Sequence, residues 1–152
     1  MAIWVRFNGG FWAYRERLLS TSNSGLRRAR AFVYTHYLEY LGSYISVGAE
    51  FAGAPRFPHK PMGIFIAPEA KIGRGATIYQ QVTIGVNDTI GSPKFGSPVI
   101  GENVYIGAGA KIIGKIVVGD NAVIGSGAIV VRDVPAGGRA VSSAATVLAP
   151  RQ

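Results

Sequence analysis

From residue 66 onward an aliphatic residue recurs at every sixth position: Ile66, Ile72, Ile78 and Ile84, then Ile100, Ile106, Ile112, Val118, Ile124 and Val130. Four positions after nearly every one stands a small or branched residue: Ala70, Ala76, Val82, Val104, Ala110, Ile116, Ala122, Ala128 and Val134. Glycine often follows the aliphatic directly, at 73, 85, 101, 107, 119 and 125. Period six matches neither a helix at 3.6 nor an isolated strand at 2, and a repeat has to be read before any single element. The packing that satisfies it is a solenoid of triangular cross-section. Each six-residue unit makes a short strand and a corner, and three units make an 18-residue coil. The aliphatic points inward and stacks on its equivalent in the next coil. Glycine or asparagine at the corners supplies positive φ at low steric cost. The longer period is visible directly, because Ile100-Gly-Glu-Asn103 returns as Val118-Gly-Asp-Asn121 and Ile106-Gly-Ala-Gly109 returns as Ile124-Gly-Ser-Gly127.

The rest of the chain differs. Before residue 43, Phe11–Ser20 reads as a short helix and Thr21–Gly25 as a break. A second helix starts near Ser24, a candidate cap, with Leu26, Ala29, Val33, Tyr37 and Leu41 at helical spacing and Gly42 at the C-terminal cap. His36 sits between Phe32 and Tyr40 in an aromatic stripe and reads as a packed side chain. The expected division is therefore a helical segment over 1–43, the solenoid over 44–135 and a tail over 136–152. About five coils at ~4.8 Å spacing give a prism roughly 24 Å tall, whose ends the helices and the tail would cap. Ile84 to Ile100 spans 16 residues rather than 12 or 18, which leaves four extra residues and predicts a projecting loop over 86–98.

Composition narrows the function classes. A chain of 152 residues has room for one compact domain. With no cysteine it can form neither a disulfide framework nor a zinc–thiolate site. No apolar run approaches the ~18 residues of a membrane span, and Arg6 interrupts the apolar start, so a cytoplasmic protein without a signal peptide is expected. The net charge is +8, densest in Arg15, Arg17, Arg27, Arg28 and Arg30. Such a field attracts anions. No zinc finger, zipper or RNA-binding aromatic motif accompanies it, so no nucleic-acid partner is expected. An acidic inner-membrane surface, held weakly through Arg27, Arg28 and Arg30, is the other candidate partner.

The repeats carry the hexapeptide signature of the left-handed parallel β-helix. The segments PHKPMGIFIAPEAKIG, IYQQVTIG, FGSPVIGENVYIGAGAKIIG and IGSGAIVVRDVP resemble the serine O-acetyltransferase branch of hexapeptide acyltransferases, most closely its short surface-polysaccharide and sugar-acetylating type. The resemblance implies an acetyl-CoA-dependent O-acetyltransferase that binds no metal. It also implies a homotrimer with sites between adjacent prisms and acetyl-CoA along the groove. The acceptor hydroxyl must lose a proton as it attacks the thioester, and histidine suits that role near neutral pH.

By the resemblance His59 is that base; the competing reading is a turn histidine between Pro58 and Pro61. Its distance to Gly63 is one residue longer than the family pattern, a shift that Pro61 can absorb. By the same resemblance Ala108 and Gly109, and one coil later Ser126 and Gly127, let the pantetheine arm approach the backbone. Val131 and Arg132 border the cofactor, with Arg132 facing a phosphate. Read alone, these six are ordinary solenoid corners.

Several departures point away from serine and towards a sugar or polysaccharide hydroxyl. Pro58 replaces an aspartate and Gly96-Ser97 replaces an Arg-His pair. Tyr44 stands at the register position of the orienting aspartate, for which Glu50 and Glu69 are the candidate substitutes. The usual wrapping tail is replaced by Ser142–Thr146, where Arg139 and Arg151 are possible compensating cations. The serine acetyltransferase activity itself is a lesser alternative. Two histidines are too few for the three-histidine zinc site of γ-type carbonic anhydrases. Thr77, Thr83 and Thr89 fall on three faces, which excludes an ice-binding ladder. The remaining rival is a non-catalytic trimeric scaffold in a surface-glycan assembly.

Overall fold

The computed structural model describes residues 10–143. Thirteen short strands in those residues build three parallel sheets. One contains β1 (Tyr44–Ile45), β3 (Phe65–Ile66), β6 (Thr83–Gly85), β9 (Lys111–Ile113) and β12 (Ile129–Val130). The second contains β2 (Glu50–Phe51), β4 (Lys71–Ile72), β7 (Val99–Ile100) and β10 (Val117–Val118). The third contains β5 (Thr77–Ile78), β8 (Tyr105–Ile106), β11 (Val123–Ile124) and β13 (Arg139–Ala140). The chain visits the sheets in turn, which makes a left-handed parallel β-helix.

All ten aliphatics of the six-residue series are buried, and so are the nine small or branched residues that follow them. Removing one such isoleucine from water contributes about 1.5–3 kcal/mol, so the repeat supplies most of the core. Two kinds of glycine support the corners. At Gly101 an added Cβ would lie 2.3 Å from Asp120 Oδ1 and 2.7 Å from its backbone nitrogen, so close approach of the next coil demands glycine. At Gly109 the demand is conformational (φ 70°), and Asn103 and Asn121 meet the same need at equivalent corners.

Register corrects two expectations. Ile84 and Ile100 lie on consecutive faces, so the regular spacing between them is six and the insertion is ten residues, not four. Accordingly Thr83 pairs with Lys111 across 28 residues, whereas Phe65 pairs with Thr83 across 18. The excess forms the projecting loop, closed by reciprocal 2.9 Å hydrogen bonds between Asn87 and Gly96. A second break lies earlier: Tyr44 pairs with Phe65, three residues beyond a regular coil. Those three residues fall in the corner that carries His59. The solenoid also extends past 135, because Arg139–Ala140 pairs with β11.

Helices α1 (Gly10–Leu19) and α2 (Ser24–Tyr40) cover the first coil. The cap of α2 is Asn23 rather than Ser24, its side chain accepting from Leu26 N at 2.9 Å. At the other end Ser43 N donates to Leu38 O and Gly42 N to Glu39 O, the paired bonds of a Schellman turn. Tyr14, Leu18, Tyr34 and Leu38 join Ile45 and Ala49 in one core. His36 rests against Phe32 (ring centroids 3.9 Å) with Nδ1 2.9 Å from Phe32 O, in keeping with a packing role.

The N-terminal cations are partly consumed inside this cap. Arg15 is buried and donates to Ala49 O at 2.6 Å, with its guanidinium 4.8 Å from the centre of the Phe51 ring. Arg30 Nη1 donates to Arg17 O at 3.0 Å and also to Thr21 Oγ1. Arg27 and Arg28 remain exposed. Arg6 and Arg151 lie outside the described residues.

Candidate active site

One edge of the prism, where the third sheet passes to the first, carries most of the residues that the sequence singles out. In the first coil this edge is the enlarged corner at 57–63. It is tied down by Lys60 N to Phe57 O (3.2 Å), Met62 N to Lys60 O (2.9 Å) and Gly63 N to Leu41 O (3.0 Å). The buried Ser43 hydroxyl donates to Pro61 O and accepts from Ile64 N at 3.1 Å. The corner is thus fastened to the end of α2, and His59 stands exposed upon it.

Successive corners continue the edge. Gln81 N donates to Met62 O (2.9 Å), Gly109 N to Gln80 O (3.0 Å) and Gly127 N to Ala108 O (2.8 Å). Ser142 Oγ ends the ladder on Ser126 O at 3.1 Å. His59, Ala108, Gly109, Ser126 and Gly127 are therefore brought onto one line, separated by steps of ~4.8 Å. A Cβ built on Gly109 meets nothing within 4 Å, and one on Gly127 meets only Ser142 Oγ at 4.0 Å. The backbone here is open to a thin, extended ligand.

Val131 and Arg132 are not on this line. They follow β12 at the corner leading to the second sheet, where Arg132 and Arg139 line an open cavity of about 480 Å³. The substitutes for an orienting carboxylate also fall elsewhere. Glu50 belongs to the second sheet and pairs with Lys71 at 3.3 Å, while Glu69 occupies the corner between β3 and β4. Tyr44 lies in the first sheet beside Phe65.

What meets His59 instead is Gln80, whose Oε1 is 2.8 Å from the ring Nδ1. Tyr79 meets the same ring edge to face at 5.6 Å and 88°. Tyr105 continues the aromatic row at 5.3 Å from Tyr79, whose phenol beside it pushes that of Tyr105 above the ordinary value. Sequence reasoning missed Gln80 because the three-residue insertion hides its register. Once 21 residues separate the first two coils, His59 and Gln80 become neighbours on one edge. No group of three or more metal-ligating side chains occurs among the described residues.

Comparison with known proteins finds likeness to hexapeptide transferases and to serine acetyltransferases. The family model described as bacterial transferase hexapeptide (six repeats) matches residues 97–132. Serine acetyltransferase of Mycobacterium tuberculosis is 38% identical over 61 residues, which is 40% of this chain and 26% of that protein. The crystal structure of Neisseria gonorrhoeae serine acetyltransferase in complex with serine superposes with a TM-score of 0.72 at 28% identity, over 90% of this chain and 55% of that one. Soybean serine acetyltransferase, solved as the apoenzyme, gives 0.72 at 27%, over 91% and 56%. The chain thus spans about a quarter of the bacterial relative and about half of each solved structure.

Proposed function

We propose that this chain, a hexapeptide-repeat protein of the serine O-acetyltransferase-like branch, transfers an acetyl group from acetyl-CoA to an acceptor hydroxyl. The observation that carries the reading is the edge itself, with a histidine at one end of a line of small, open corners. Acetyl-CoA would lie along Ala108, Gly109, Ser126 and Gly127, its thioester towards His59. In the homotrimer that the reading includes, Val131 and Arg132 of a neighbouring prism would border the same groove. Arg132 is then available to a phosphate.

His59 accepts the acceptor's hydroxyl proton as that oxygen attacks the thioester carbonyl. The tetrahedral intermediate collapses by breaking the carbon–sulfur bond, and the imidazolium returns the proton to the departing thiolate. The products are the O-acetyl ester and free CoA.

Serine is the first acceptor to test, because the relatives above are serine acetyltransferases. A second reading, a sugar hydroxyl, is favoured by the projecting loop. Its lysine, Lys94, is paired with Asp133 at 3.2 Å, and Gly96-Ser97 offers no cation for a carboxylate-bearing acceptor. A role in polysaccharide biosynthesis draws no support from those relatives. A cytoplasmic location is part of this proposal. Separately, no described helix is long and apolar enough to cross a membrane. Weak association with an acidic inner-membrane surface would fall to Arg27 and Arg28, since Arg30 is engaged within the cap.

A thiol-release assay with acetyl-CoA, serine and a panel of sugars tests the proposal. His59→Ala is expected to lower turnover by about 10²–10⁴, the usual contribution of a general base. Calorimetry showing no CoA binding would leave the non-catalytic scaffold as the better reading.

A further inference from the structure

We infer that Gln80 is the positioning residue of this site: through a neutral amide it holds His59 in the tautomer that leaves Nε2 free to accept a proton. The inference rests on the reading of His59 as the base, and its geometry stands independently. Gln80 Oε1 lies 2.8 Å from His59 Nδ1. An amide oxygen only accepts, so with the amide in this orientation Nδ1 of the neutral ring carries the hydrogen, and the lone pair is left on Nε2.

Both partners are fixed by the edge ladder. Gln80 O accepts from Gly109 N, and the adjoining Gln81 N donates to Met62 O within the very corner that bears His59. The glutamine side chain therefore has only one coil step to span. Tyr79 packs at right angles to the same ring, with 5.6 Å between the centroids.

The charge balance around the ring follows from the same placement. Tyr79 faces His59 from the second coil and Tyr105 stands behind Tyr79, while Lys60 is its neighbour on its own corner. Among the described residues no carboxylate is paired with it. A carboxylate would add charge assistance to the imidazolium formed in proton transfer; an amide oxygen contributes a weaker, neutral hydrogen bond. Gln80 thus selects the tautomer without adding a negative charge.

The tautomer can be read without turnover. With only two histidines in the chain, ¹⁵N-labelled protein and its His36→Gln variant assign the His59 ring nitrogens by nuclear magnetic resonance. At a pH where the ring is neutral, the Nδ1–H form should dominate, and Gln80→Leu should shift the ratio towards Nε2–H. In the thiol-release assay Gln80→Leu should lower kcat by roughly 10²-fold, the cost of misplacing a reacting group, with the KM for acetyl-CoA little changed. Gln80→Glu should keep the Nδ1–H form and move the acid limb of kcat/KM up by about one pH unit or more. A dominant Nε2–H form in the native protein, or a ratio that Gln80→Leu leaves unchanged, overturns the inference. If His59→Ala turns over normally while the tautomer depends on Gln80, the base assignment falls instead.

Discussion

At the scale of single residues, the six-residue period assigns two demands that look alike in the sequence. Gly107 follows an inward isoleucine and is needed because Ser126 N would stand 2.6 Å from an added Cβ. Gly109, two positions on, is needed for its positive φ. Gly107→Ala should therefore destabilise the protein by about 1–3 kcal/mol, the usual cost of overpacking, which a thermal or denaturant melt would register. Asn103→Gly, at a corner that requires only the conformation, should leave the melt nearly unchanged. The inward and corner positions were legible in the sequence because each depends on residues at fixed offsets. Gln80 was not, since its role depends on which corner of the next coil it faces.

Among the elements, the enlarged corner at 57–63 decides where the candidate base stands. A regular coil would bring the chain directly from the third sheet to the first. Three additional residues lift His59 onto the edge, and Ser43 fastens them to the end of α2 through Pro61 O and Ile64 N. Removing that hydroxyl leaves Ile64 N, itself in a buried residue, without its acceptor. Ser43→Ala should cost about 1–3 kcal/mol of stability, the penalty of an unsatisfied buried donor. It should also reduce kcat while CoA affinity measured by calorimetry is retained. Equal losses of turnover and CoA binding would point instead to general unfolding of the edge. The ten-residue loop was legible as an interruption, because turn-forming residues crowd it. Its true length appears only when Ile84 and Ile100 are assigned to consecutive faces.

For the molecule as a whole, the helical cap and the prism share one core. Tyr34 joins them: its hydroxyl donates to Ile45 O at 2.8 Å, and burial pushes its phenol up to about 12 from an ordinary 10. A folded-state value above the unfolded one means that the folded form holds the proton more tightly. The associated stability is complete below pH 10 and is lost as pH rises towards 12. Alkaline unfolding in that window is expected, followed by circular dichroism. Tyr34→Phe should be less stable at neutral pH by about 1 kcal/mol through the lost hydrogen bond, yet show a shallower alkaline decline. An identical alkaline profile would remove Tyr34 from that transition.

The sequence alone determined the coil, its inward side chains and its glycine-dependent corners. Stacked repeats are held by neighbours at constant separations in the chain, so their packing is written as a period. Tertiary structure decided which corners share an edge, that Arg15 and Arg30 serve the cap, and that an amide rather than a carboxylate meets His59. Insertions of three and ten residues are the physical reason. They leave each strand's own pattern intact while changing which distant residue lies beside it.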